Sequence, residues 1–199
     1  MTQENIYQTT RPSLLTRLKD LEDQKSWQEF FETYWRLIYN VALKCGLSHE
    51  ESQDIVQESI LRAVENIGRF ERRNRKGAFK AWLRTIARSQ IAMFWRSRKS
   101  RPEARTDHDI EPDALAAEAD LEKIWDEEWR KNIQHAALTQ LKLHSRPRHY
   151  QIFHAYVIQE MDAKRVAKTF GVGMSQVYVI KHRMGARYEA ELAKLREEG

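Results

Sequence analysis

Apolar residues recur every three or four positions along almost the whole chain, which is the signature of amphipathic helices. Trp27, Phe30, Phe31, Tyr34, Leu37, Ile38 and Val41 keep this spacing. They predict a buried helix face that opens at a Ser26/Glu29 capping pair and closes near Gly46. Ser48 and Glu51 repeat the capping pattern, and Ile55, Val56, Ser59, Ile60, Ala63 and Ile67 continue the apolar face to a stop near Gly68. After the polar loop RFERRNRKG, Phe79, Trp82, Leu83, Ile86, Met93 and Phe94 predict a long helix from about Ala78 to Arg98. Ser13 is placed to cap a short helix ahead of all these. Glycines are few and no long alternating run is present, so an all-α chain is expected.

Pro102 and Pro112 interrupt the pattern. The segment between them, PEARTDHDIEP, is acidic and poor in large apolar residues, as a flexible linker would be. Helices resume near Asp113 and run to about Leu143, and Pro147 starts another through Tyr156. The expected organisation is an N-terminal segment (1–24), a first helical domain (25–101), an acidic linker (102–120) and a second helical domain (121–199).

Charge sharpens this division. Arg69 to Arg101 holds twelve Lys/Arg and one acid, Glu71, whereas Glu103 to Glu128 holds eleven Asp/Glu against Arg105 and Lys123. Lys142 to Arg187 again holds nine Lys/Arg against Glu160 and Asp162. Two basic modules around an acidic connector suit a polyanion gripped at two places. No apolar run is long enough to span a bilayer, and MTQENIYQTT lacks a signal-peptide pattern. Cys45 is the single cysteine, which excludes an intrachain disulfide and paired-cysteine zinc sites and fits the reducing cytoplasm.

The segment from Met161 to Leu192 has the form of a helix-turn-helix. Asp162 can cap its first helix, small Ala167 permits a close crossing, and Gly171 suits a left-handed turn. Val177, Ile180, Met184 and Tyr188 form the inward stripe of the second helix. That leaves Ser175, Gln176, Tyr178, Val179, Lys181, His182 and Arg183 facing outward, a set suited to a major groove. In the central helix, Lys80, Arg84 and Arg88 form a row of like charges at i+4, whose repulsion an external anion would relieve. Trp82 lies on the apolar stripe and Trp95 off it, so Trp95 is the better candidate for exposure.

The run Asp54-Ile-Val-Gln57-Glu58-Ser-Ile-Leu-Arg62-Ala63, then Arg69-Phe70, then Gly77-Ala-Phe79-Lys-Ala-Trp82-Leu83-Arg84-Thr-Ile86-Ala87-Arg88, resembles region 2 of bacterial RNA polymerase sigma factors. Leu138-Thr-Gln-Leu141, Pro147, Ile152-Phe153 and the helix-turn-helix resemble region 4. The compact plan is similar to the extracytoplasmic-function (ECF) subgroup, over roughly residues 25–195. The resemblance implies a promoter-directing factor that is not an enzyme and needs no cofactor. Its implied partners are core RNA polymerase, through the largest-subunit clamp helices and the flap, and promoter DNA, with an anti-sigma factor as a further candidate.

By the same resemblance, Asp54, Gln57, Glu58 and Arg62 would dock on the clamp. Phe70, Arg72, Arg73, Lys80, Trp82, Arg84, Arg88, Ser89 and Trp95 would open and hold the −10 element. Ser175, Gln176, Tyr178, Val179, Lys181, His182 and Arg183 would read the −35 element. The chain departs from the family at three points: Ser89 replaces a frequent Asn, the Glu71–Lys76 loop is unusually basic, and Ile180 replaces a frequent Arg. These bear on which promoter is read. Two other classes compete with this one. A helix-turn-helix regulator acting without polymerase would be a dimer that binds duplex DNA tightly by itself. A metal enzyme would have to use His49, Glu50, Glu51, Asp54 and Glu58, which also read as a helix N-terminus favouring acids.

Overall fold

A computed structural model of the chain describes residues 13–71, 77–99 and 114–198. Among these every regular element is helical, in eight α-helices with two irregular turns. Arg72 and Arg73 and most of the expected linker lie outside the described residues.

Helix α1 (Leu14–Arg17) is capped by Ser13, and it seats Leu14, Leu15 and Leu18 against helix α2 (Gln24–Lys44). The cap of α2 is Asp23, not Ser26. Ser26 is buried one turn inside, where its hydroxyl donates to Asp23 and accepts from Arg17 Nη1 at 2.6 Å. Arg17 also bonds Glu29 at 2.8 Å, so the carboxylate expected to complete a capping box anchors α1 instead. The Ser48/Glu51 box forms as expected at the start of α3 (His49–Asn66). A 3-10 turn (Ile67–Arg69) leads away from it, and α4 (Ala78–Lys99) follows.

The first core joins Phe30, Tyr34, Leu37, Ile38 and Val41 of α2 to Ile55, Val56 and Ala63 of α3 and to Phe79, Leu83, Ala87 and Ile91 of α4. Phe31 and Met93, expected inside, are exposed at 44% and 51%. Each lies beside the buried stripe of its helix, on the flank that no other helix covers.

Helix α5 (Ala114–Leu143) is a single unit of 30 residues, about 45 Å long. It takes in residues 114–120, which composition alone assigns to the linker. Its buried apolar residues Leu121, Trp125, Trp129, Ile133, Ala137 and Leu141 fall every fourth position. A four-residue step overshoots a 3.6-residue turn by about 40°, so the stripe winds about 200° from Leu121 to Leu141. The first five therefore join the first core, while Leu141 joins a second core with Ile152, Phe153, Val166, Val177, Ile180 and Met184.

The second core holds α6 (Pro147–Phe153), a π-helical turn (His154–Ile158), α7 (Ala163–Phe170) and α8 (Met174–Glu198). Pro147 begins α6, where a missing N–H costs nothing. Asp162 caps α7 by accepting from the Lys164 and Arg165 amides. Gly171 ends α7 in the left-handed region at φ 60° and ψ 44°, which glycine adopts without a Cβ penalty. The distal half of α8 returns to the first core through Leu192 and Leu195.

Candidate functional site

Three surfaces carry the residues singled out in the sequence. The first is the outer face of α3. Ser52, Ile55, Val56, Ser59 and Ala63 are buried, which turns Asp54, Gln57, Glu58 and Arg62 outward together. Arg62 leans on Glu65 at 2.9 Å, an exposed pair worth little in solution. In the middle of this face stands Leu61, 56% exposed. It was not picked out from the sequence, although its place seven residues after Asp54 and off the apolar stripe marks it. A leucine ringed by acids, an amide and an arginine has the form of a protein-docking patch, with an apolar anchor and a polar rim.

The second surface is α4 with the segment before it. Phe70 is buried, with its ring centroid 6.0 Å from Phe79 and 5.1 Å from Trp82. It therefore packs rather than offering its face. Trp82 is half-buried and lines a cavity of about 420 Å³ with Asn66, Arg69, Phe70 and Glu71. This polar-rimmed cleft with an aromatic wall has room for a nucleobase. Ser89 lies two turns along α4, exposed, and is not among the lining residues. Trp95 is half-buried: its ring covers the α2–α3 turn, where a Cβ on Gly46 would sit 3.7 Å from Trp95 Cζ2. Arg98 lies over the same ring at 5.6 Å and bonds Glu51 at 3.3 Å. Gly46 is called for by its own φ of 86°, and Trp95 packs against this turn despite lying off the helix stripe.

The cationic row of α4 is met by α5. Lys80 Nζ lies 2.8 Å from Asp126 Oδ1, and Arg84 Nη1 lies 2.6 Å from Glu122 Oε1. Arg88, the third member of the row, is exposed. On the α2 side, Glu128 accepts from Asn40 at 3.1 Å and from Lys131 at 3.0 Å, and lies 3.0 Å from Lys44. Burial pushes the Glu128 carboxyl up, but these three donors outweigh it and hold it below the usual carboxylate range.

The third surface is the start of α8. Val177, Ile180 and Met184 are buried, and all seven residues expected to face outward do so. At about 100° per residue, Ser175 and His182 point straight away from the core, Tyr178 and Val179 lie about 50° to either side, and Gln176 and Lys181 sit on opposite sides of the helix. Tyr178 rests edge-on against Tyr156, with centroids 5.9 Å apart. Arg148 donates to the Phe170 carbonyl at 2.6 Å and so ties α6 to the turn.

At the head of α3, Glu51 serves the capping box and Arg98, and the Tyr39 hydroxyl lies 2.5 Å from His49 Nδ1. Among the described residues no group of three His, Cys, Asp or Glu converges as metal ligands would. No described helix is long and apolar enough to cross a membrane.

An all-helical module of α2, α3 and α4 that turns out a mixed polar face and a cationic row is the form of sigma-70 region 2, and residues 30–101 match that family. The matched stretch, about a third of the chain, is a sigma-70 region 2. The chain as a whole is similar to an extracytoplasmic-function sigma factor. It is 23% identical over 157 residues to the ECF RNA polymerase sigma factor BldN of Streptomyces coelicolor, an alignment covering 79% of this chain and 55% of that protein. The chain thus spans about half the length of the curated relative it matches.

Proposed function

We propose that the protein directs core RNA polymerase to specific promoters and helps open their −10 region. The observation that carries this reading is the composite surface of region 2. The α3 face offers Leu61 among Asp54, Gln57, Glu58 and Arg62 for a protein partner. The α4 side offers Lys80, Arg84 and Arg88 for phosphates beside a base-sized cleft. These are the two kinds of contact an initiation factor has to make at once.

In this reading α3 docks on the clamp helices of the largest subunit, and the second domain rests on the flap. The non-template strand lies along Lys80, Arg84 and Arg88, with one base extruded into the cleft walled by Trp82, and Arg72 and Arg73, next in sequence after Glu71, contact the same strand. Extruding a base costs a few kcal/mol, which stacking on an aromatic wall at about 1–3 kcal/mol per base offsets in large part. Ser89 and Trp95 flank that path. The start of α8 enters the major groove of the −35 element through Ser175, Gln176, Tyr178, Val179 and His182, while Lys181 and Arg183 approach phosphates. The work is done in the cytoplasm, and an anti-sigma factor would act by covering one of these faces.

The test is promoter-directed transcription by purified core polymerase with and without the protein. Transcription from selected promoters that appears only when the protein is added, with weak duplex binding by the protein alone, supports the reading. A dimer that binds duplex DNA tightly and leaves core polymerase unaffected would overturn it.

A further inference from the structure

We propose that the upstream element this protein reads contains a thymine whose C5-methyl group seats on Val179 of α8. This deepens, and rests on, the reading of α8 as the groove-entering helix.

Val179 contributes little to the fold. It is 49% exposed and belongs to neither core. A β-branched residue on a solvated helix face lowers helix propensity and buries nothing in return. Its neighbours one turn away along the helix are Ser175, Gln176, His182 and Arg183, and each can hydrogen-bond a base edge or a phosphate. Val179 can make no such bond. Across the outermost line, Met174 and Tyr178 are exposed as well, at 47% each. The start of α8 thus carries apolar side chains on both sides of a polar ridge.

The surrounding charge says what this surface meets. Lys164, Arg165 and Lys168 of α7 and Lys181, Arg183 and Arg187 of α8 are all exposed, and from Glu160 to Arg187 the acids are Glu160 and Asp162 alone. Asp162 is spent on the cap of α7. Such a cationic surround fits a polyanion better than an apolar protein face. In the major groove the base edges offer donors, acceptors and one apolar group, the thymine methyl. A valine about 50° from the outermost line of a groove-entering helix meets base edges, and that methyl is the one feature it can recognise. Gln176, one turn earlier on the same side, is suited to adenine, so the two side chains favour A·T pairs together.

The experiment uses holoenzyme assembled from core polymerase and the full chain, with a promoter fragment recovered by library selection. Each upstream thymine is replaced singly by deoxyuridine, which removes the methyl group and keeps every hydrogen-bonding atom. Affinity is read by competition binding. One replacement should weaken wild-type binding about fourfold, the worth of one buried methyl group. Val179→Ser should bind thymine and deoxyuridine alike at that position and keep its preferences at the others. Val157→Ala, which shortens an exposed valine on the π-helical turn, should retain full discrimination. Discrimination that survives Val179→Ser would overturn the proposal, because the methyl group would then be read by another residue or act through DNA shape. A selected element without thymine would overturn it outright. So would indifference to deoxyuridine at every position while other upstream base changes still weaken binding, and in that case α8 stands as the reader. Insensitivity to every upstream base change would remove the reading of α8 and the proposal with it.

Discussion

Tyr34 of α2 and Trp129 of α5 stack with ring centroids 5.8 Å apart and planes inclined by 18°. The two residues are separated in sequence by α3, α4 and the acidic connector, yet they share one core. Trp125, fully buried in the same core, stacks on Trp129 at 6.2 Å. Trp125→Ala is therefore expected to cost about 3–5 kcal/mol. Urea denaturation followed by circular dichroism will show it. A loss below about 1 kcal/mol would mean that α5 contributes little to the core.

Glu128 gives the α2–α5 contact a pH dependence. Its carboxyl is lowered in the folded state from an ordinary value of 4.5, because the donors Lys44, Lys131 and Asn40 outweigh burial. A lowered carboxyl stabilises the fold above its unfolded value, and that contribution is lost as pH falls through the folded value. Wild type should lose stability below about pH 4.5, and Glu128→Gln should lose less of its own over the same range. Thermal melts between pH 3 and pH 7 give the comparison, in roughly one-unit steps. Parallel acid limbs for the two proteins would count against the assignment.

Leu61 should matter to binding and not to folding. Leu61→Ala removes an exposed side chain, so stability should change by no more than about 0.5 kcal/mol. Affinity for core polymerase should fall, and should fall further in combination with Asp54→Ala and Gln57→Ala. Native affinity in the triple variant would remove α3 from the polymerase interface.

Gln176 and Lys181 separate two kinds of contact on α8. They sit on opposite sides of the helix, each roughly 110° from the outermost line of Ser175 and His182. Gln176→Ala should change the upstream base preference at one position, at a cost of about 1–3 kcal/mol. Lys181→Ala should weaken all sequences alike and flatten the salt dependence. A promoter-library selection in holoenzyme reports both. If neither variant differs from wild type, the helix-turn-helix is a packing hairpin.

The helices of region 2 were readable because their apolar residues keep three-and-four spacing and their ends carry caps. The Ser48/Glu51 box and the inward stripe Val177, Ile180, Met184 follow directly from sequence. Ser26 misled because two cap-forming residues lie three apart. Asp23 took the terminus once Arg17 bound Ser26 and Glu29 from a neighbouring helix, which no local rule contains. Trp95 found a seat over Gly46, again a contact between distant segments. The extent of α5, from near Asp113 to about Leu143, follows from the helical pattern. What the division into linker and second domain does not show is that its four-residue repeat makes a stripe winding from one side to the other, which serves two partners.

That winding stripe has a mechanical consequence. A rigid rod clamped at both ends cannot release one grip and leave the other undisturbed. If the first half of α5 leaves its seat beside Tyr34, the helix-turn-helix moves with it, swinging on an arm of about 45 Å. Baring Lys80 and Arg84 and moving the helix-turn-helix would then be one displacement, in which Leu192 and Leu195 of α8 also leave the first core.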